Sequence, residues 1–478
     1  MRAGFGQFQS SPEPLWSMIC TLGMQILPDE QAHDGKPLVA SAQGVDAMNR
    51  ARALAGLAAI IALGAGPAAT AQVAAPVADS GHTAWILAAT ALVLFMTLPG
   101  LALFYAGLVR SKNALSVMMH CVAIACLGSV LWLFGGYSLA FSGSNPIIGN
   151  LDKFGLPDVR GAVTGALPES VFFAFQMTFA IITPALIVGA YVERIRFGAV
   201  LLFSGLWLLL VYAPVCHWVW GGGWLAGLKV MDYAGGLVVH ATAGVASLVA
   251  VAMLGPRDGF PKTVHPPHNP GMTMMGAGML WVGWYGFNAG SALAADGAAG
   301  SALIATHMSA ATAGLVWAVI EKLRFGRSSM VGVVTGVVAG LATVTPASGF
   351  VGPLGGVILG ALASLVCFHA VDIVKHRFKL DDSLDVFAVH GVGGILGTLL
   401  VAGLASPLLG GAGYAEGMDA GRQFGVQALG VAAVCAWSAV ASFVILLLCK
   451  ITVGLRASPE TIEDGLDMGS HGERAYQS

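Results

Sequence analysis

The sequence predicts an all-α polytopic membrane protein with eleven transmembrane helices, built as an inverted five-helix repeat (spans 1–5 and 6–10) plus an eleventh helix. Three observations predict it. Of the 478 residues 56% are apolar and only 10% are charged, against about 25% charged in an ordinary soluble domain. Apolar runs of about 20 residues, enough to cross a hydrocarbon core of about 30 Å, recur along the chain. An aspartate with a histidine eight residues on occurs twice, five spans apart.

Residues 1–47 are mixed and polar with no sustained period, and read as an extension or a mis-assigned start. Met48-Asn-Arg-Ala-Arg52 opens a different segment, with an apolar core from Ala53 to Gly66 and then Ala69-Thr-Ala71. A basic start, a short apolar core and an A-x-A end make a secretory signal peptide, 48–71, cut after Ala71. The competing reading is a first membrane helix with residues 1–47 in the cytoplasm, but the core is short for a span.

Eleven apolar segments follow, near 83–109, 114–141, 168–190, 198–218, 234–254, 270–289, 303–320, 329–346, 351–373, 386–407 and 425–453. Alternate loops are basic: Arg110 and Lys112; Arg194 and Arg196; Arg257 and Lys262; Lys322, Arg324 and Arg327; Lys375, Arg377 and Lys379; Lys450 and Arg456. The loops between them hold only Lys153, Arg160, Lys229 and Arg422. This bias puts the mature N-terminus outside and the C-terminus in the cytoplasm.

Gly contributes 65 residues, many inside apolar runs such as Gly352-Pro-Leu-Gly-Gly356 and Gly391-Val-Gly-Gly394. Small residues let helix backbones approach in lipid, so the bundle is expected to be tight. The seven cysteines show no disulfide or metal spacing and read as small apolar fillers. No H-E-x-x-H cluster suggests an intramembrane metalloenzyme, and a net charge of −2 points to no nucleic-acid partner.

Span five opens Asp232-Tyr-Ala-Gly-Gly-Leu-Val-Val-His240 and span ten opens Asp382-Ser-Leu-Asp-Val-Phe-Ala-Val-His390. Because these spans lie an odd number apart, the two copies run in opposite directions across the membrane. Thr183-Pro-Ala185 and Thr345-Pro-Ala347 are a weaker echo. Eight helical residues rise about 12 Å, and the copies start from opposite faces of a core about 30 Å thick. Both histidines therefore converge near the midplane. A polar residue at that depth is costly and faces a cavity or a partner, and adjacent neutral imidazoles hydrogen-bond and pass a proton. Asp232 and Asp382 suit helix starts, and Asp232 also faces the outer side, where a cation would enter. The other histidines carry less: His120 is alone in span two, His217, His307 and His369 lie near span ends, and His265 and His268 occupy a cytoplasmic loop.

These motifs resemble the ammonium transporter and Rhesus protein family, on its bacterial ammonium transporter side. The resemblance runs from about Ala84 to Tyr476 and rests on Pro99-Gly-Leu-Ala-Leu-Phe-Tyr105, Asp232-Tyr-Ala-Gly-Gly236 with His240, Gly283-Trp-Tyr-Gly-Phe-Asn-Ala-Gly-Ser291 and Asp385-Val-Phe-Ala-Val-His390. It implies an ammonium transporter domain over 80–455 in the bacterial inner membrane, with no enzymatic activity, no cofactor and no metal. By the resemblance, Phe175, Phe179, Trp220 and Ser291 form an outer substrate site, Phe179 and Phe287 gate the pore, and His240 and His390 are the twin histidines. It also implies homotrimers with a pore in each subunit. The acidic segment 456–478 is then a cytoplasmic regulatory tail, with a PII-type signal protein as partner. An aromatic face attracts a cation by about 0.5–2 kcal/mol, and a serine hydroxyl accepts a hydrogen bond from an N–H, so the site suits a small nitrogenous cation. A neutral gas channel of the Rhesus kind and an ammonium sensor are the alternatives.

Overall fold

A long apolar run becomes a helix in lipid because a backbone without water must satisfy its own hydrogen bonds, and helices dominate the molecule accordingly. The computed structural model describes residues 77–263 and 265–476. The extension 1–47 and the signal peptide 48–71 lie outside the described residues. In chain order the principal helices are α1 Ser80–Leu108, α2 Ser111–Phe141, α3 Glu169–Tyr191, α4 Phe197–Gly227, α5 Gly236–Leu254, α6 Pro270–Gly290, α7 Gly297–Phe325, α8 Met330–Val344, α9 Pro353–Arg377, α10 Phe387–Leu404 and α11 Ala420–Thr452. Two short helices, α12 Pro459–Asp464 and α13 Leu466–His471, belong to the tail.

Nine of these helices are long and apolar enough to cross a membrane, counted among the described residues. The other two of the eleven segments, α6 and α8, depart for identifiable reasons. Glycines, tryptophans and Asn288 dilute the hydropathy of the 21-residue α6. Helix α8 has 15 residues and ends at Val344 rather than at 346 as the apolar run suggests: Thr345 still has helical backbone, but Pro346 has no N–H with which to continue the hydrogen-bond ladder.

Side-chain caps fix several starts. Asp79 accepts from His82 N at α1, Asn269 from Met272 N at α6, and Asp296 from Ala298 N and Ala299 N at α7. Within α1, Pro99 cannot donate a backbone hydrogen bond, and the chain around it, Met96–Leu101, widens into a π-helical turn.

Glycine governs how α5 meets α10. A Cβ on Gly244 would lie 2.2 Å from the Gly391 Cα, and one on Gly394 would lie 2.6 Å from the His240 Cβ. Only hydrogen fits at either place, so the two histidine-bearing helices touch backbone to backbone.

At the end of the bundle that carries the basic loops, buried charges tie four segments together. Glu193 accepts from Arg110 Nε (3.0 Å), Asn113 Nδ2 (3.1 Å) and Arg257 Nη1 (3.3 Å). Asp381 accepts from Arg257 Nε and Nη2 at 2.9 and 2.8 Å. Arg194, fully buried, donates to Ser383 Oγ and to the carbonyl of Asp381. Burial pushes both carboxyls up, but Arg110 and Arg257 at Glu193, and Arg257 and Arg194 at Asp381, outweigh it and hold them below the usual carboxylate range. Burial lowers Arg194 to about 10.

The tail is docked onto this end. The carboxylate of Asp467 accepts from Leu115 N (3.1 Å) and Ser116 N (2.7 Å), capping the first turns of α2. Asn113 Oδ1 accepts from Leu466 N, and the Tyr476 hydroxyl meets His268 Nε2 at 3.0 Å. His120, alone in its own helix, stacks on Phe197 and faces His471 of the tail.

Candidate functional site

Three cavities line up along the bundle. The first, about 290 Å³, opens at the end opposite the basic loops and is walled by Phe141, Phe172, Gln176, Phe179, Trp220 and Ser291. Its floor is the contact between Phe179 on α3 and Phe287 on α6, with ring centroids 4.3 Å apart. Trp220 stands nearly perpendicular to Phe179 at 5.8 Å, and its indole N–H donates to the Asp232 carbonyl at 2.8 Å. Ser291 donates to the Phe287 carbonyl at 2.8 Å, which leaves its oxygen lone pairs free to accept. Phe175 is not on the wall: it is buried behind Phe179, 5.0 Å away edge to face. The structure thus brings Phe179, Trp220 and Ser291 to one cavity, sets Phe287 against Phe179 on the lumen side, and puts Phe175 in their support.

Below the phenyl rings the lumen narrows to about 10 Å³, lined by Leu101, Ile182, Val239, Trp284, Phe287 and the two histidines among others. That is room for about one water. His240 and His390 stand Nδ1 to Nδ1 at 3.3 Å with their rings nearly parallel. The rings of Trp284 and Phe287 continue the stack on His240 at 5.6 and 6.1 Å, and Trp284 is fixed by its N–H to Thr345 Oγ1 at 2.9 Å. A proton shared between two Nδ1 atoms leaves each Nε2 with the opposite task on its own side, and His240 Nε2 has no hydrogen-bond partner among the described residues.

The third cavity, about 290 Å³, begins at His390 and opens toward the basic loops past Phe104, Arg257, Lys375 and Asp385. Lys375 and Asp385 pair across it at 2.6 Å.

The two aspartates serve the histidines at one remove. Gly235, at φ +118°, turns the chain so that Asp232 faces the start of α5. Its Oδ1 accepts from Gly235 N and Gly236 N, and its Oδ2 from Leu237 N and Val238 N, all within 3.1 Å. Asp232 is therefore turned into the protein rather than out to an incoming cation. Asp382 accepts from Phe387 N at 2.7 Å, and its Oδ1 has no partner among the described residues.

Sequence reasoning missed Gln176. Its amide oxygen is buried at the wall of the first cavity without a hydrogen-bond partner among the described residues. The available signal was its spacing: Phe172, Gln176 and Phe179 recur at four and three residues, one face of a helix.

A bundle of long apolar helices with a narrow, mostly apolar lumen connecting two end cavities defines a polytopic membrane transporter of small solutes. The chain belongs to the ammonium transporter family: the sequence model of the Ammonium Transporter Family matches residues 84–476. It is similar to the ammonium transporter of Bacillus subtilis (strain 168), 44% identical over 403 residues that cover 83% of this chain and 98% of that one. Among solved structures it resembles a sensor Amt protein, with a TM-score of 0.77 at 30% identity over 82% of this chain and 98% of that chain. Saccharomyces cerevisiae Mep2 superposes with a TM-score of 0.74 at 36% identity, covering 80% and 88% of the two chains.

Proposed function

We propose that this protein takes ammonium at the cavity of Phe179, Trp220, Ser291 and Gln176, strips its proton there, and passes ammonia between Phe179 and Phe287 and along His240 and His390. The proton crosses separately through the imidazoles, so transport is electrogenic. The observation that carries the reading is the 3.3 Å contact of the two histidines inside a lumen too narrow and apolar for a hydrated ion. An unpaired charge in such a medium is far costlier than a neutral molecule, whereas ring faces and two oxygen acceptors at the first cavity favour a cation. Phe175 backs the gate, and Asp232 and Asp382 hold the helix starts that set the histidines' depth.

The end with the basic loops is cytoplasmic, by the positive-inside rule. The mature N-terminus, after loss of the signal peptide 48–71, is periplasmic and the membrane is the bacterial inner membrane. The transporter domain spans 80–455, three copies assemble as a homotrimer, and the tail 456–478 regulates the cytoplasmic mouth, where a PII-type protein docks. The likeness to a sensor Amt protein keeps a sensing role as the second reading.

The test is the current that follows an ammonium jump on proteoliposomes adsorbed to a solid support, with sodium and potassium jumps as controls. A saturable current specific to ammonium is expected. Ammonia uptake without current would replace the mechanism with a neutral channel, and silence in both assays would favour the sensor.

A further inference from the structure

His217 is fully buried in α4, three residues before Trp220, and each of its ring nitrogens faces a backbone carbonyl, so a neutral ring donates to one of them and a protonated ring to both. Nδ1 lies 2.9 Å from the Ala140 carbonyl and Nε2 lies 2.6 Å from the Asn145 carbonyl. Ala140 precedes Phe141, a wall of the first cavity, and Asn145 opens the loop between α2 and α3. The backbone carbonyl of His217 meanwhile accepts from Gly221 N (3.1 Å) and Gly223 N (2.9 Å), closing the turn that presents Trp220. One residue therefore joins the two segments that bring Phe141 and Trp220 to the wall of the first cavity. Neighbouring bonds run the same way: Trp218 Nε1 donates to the Ile147 carbonyl and Trp224 N to the Pro146 carbonyl, at 2.7 and 3.0 Å. The fit leaves no slack, since a Cβ on Gly221 would lie 1.9 Å from the Ala140 oxygen.

We propose that His217 is a positioning residue for substrate recognition, tying the end of α2 and the α2–α3 loop to α4 beside Trp220 and so fixing where Phe141 and Trp220 stand on the wall of the outer cavity. It touches no substrate. Its effect falls on the affinity of that cavity, while the histidine pair and the lumen beyond Phe179 and Phe287 keep their rate. The proposal rests on the recognition role given to Trp220 above.

The experiment is concentration-dependent uptake of radiolabelled methylammonium by proteoliposomes, comparing wild type, Trp220→Leu, His217→Leu, His217→Gln and His217→Asn. The glutamine amide N–H reaches the place of Nε2 and the asparagine amide N–H that of Nδ1, so each can donate to only one of the two carbonyls. His217→Leu is expected to raise KM about tenfold, about the loss of one good hydrogen bond, with maximal rate within about twofold of wild type. At least one of the Gln and Asn variants, the one that loses a native N–H donor, should also raise KM, which keeps the proposal testable if the Leu variant fails to fold. An unchanged KM in His217→Leu, or in both amide variants if Leu does not fold, would overturn the clamp, and so would a fall in maximal rate at constant KM. If Trp220→Leu also leaves KM unchanged, the recognition reading itself fails; if Trp220→Leu raises KM and the His217 variants do not, only the clamp fails.

Discussion

Asp232 and Asp382 stand at the same distance before a histidine in the two halves of the repeat, yet the first accepts four backbone N–H groups and the second one. The repeat preserves what sets the depth of each histidine, the eight-residue interval, and lets the surroundings diverge. Before α5 the chain turns through Gly235 and is closed on itself, with Trp220 resting on the Asp232 carbonyl. Before α10 the chain opens beside a cavity and is held from outside, by Lys375 on Asp385 and by the Arg194, Asp381, Arg257 and Glu193 network. One end of the lumen is built from aromatic rings on a saturated cap; the other is built from ion pairs, with Asn113, a partner of Glu193, also receiving the tail at Leu466. The lesson is that equal spacing fixes position, while the partners of the cap fix stiffness.

Substitutions at the two caps separate these effects most sharply. Asp232→Ala leaves four buried N–H groups without their acceptor and should cost about 3–5 kcal/mol, read as a collapse of the thermal melt in detergent and loss of transport. Glu193→Gln breaks pairs with two partly exposed arginines and should cost about 1–3 kcal/mol after allowance for screening. Asp382→Ala removes one hydrogen bond and should cost about 1–2 kcal/mol. Equal losses at Asp232 and Asp382 would break the comparison.

Acid supplies the smallest and most selective probe. Glu193 and Asp381 have depressed folded values, so their stabilisation is present above the ordinary carboxylate range and is lost as pH falls through those depressed values. The melting temperature should therefore decline once pH drops below about 4.5, the ordinary glutamate value. Glu193→Gln should show a shallower decline, and identical acid profiles would remove this network from the account.

Much of this arrangement was legible in the residues. Apolar run length placed the helical segments, and the interval from Asp232 to His240 and from Asp382 to His390 placed both rings at one depth. What the sequence could not show was direction. Nothing in an acidic residue at the start of a span says whether its carboxylate faces a cavity or its own helix; the positive φ of Gly235 decides that for Asp232. The docking of the tail was hidden because Asp467 reads as one more solvated acid until its N–H partners, some 350 residues earlier, are known. Gln176 was missed because a lone amide in an apolar helix carries no motif, only a place on the Phe172–Phe179 face. His217 looked peripheral for the same reason: both of its partners are carbonyls of the backbone, to which any sequence contributes alike.

The central claim is that ammonia and its proton part at the outer cavity and cross separately, the proton by way of His240 and His390. The most direct test measures charge moved and methylammonium accumulated in the same proteoliposomes, for wild type and for His240→Leu and His390→Leu. The account predicts about one positive charge for each molecule in the wild type, the value for a proton moving with each neutral amine, and loss of the charge movement in both variants. Uptake without charge in the wild type, or unchanged charge movement in both histidine variants, would contradict it.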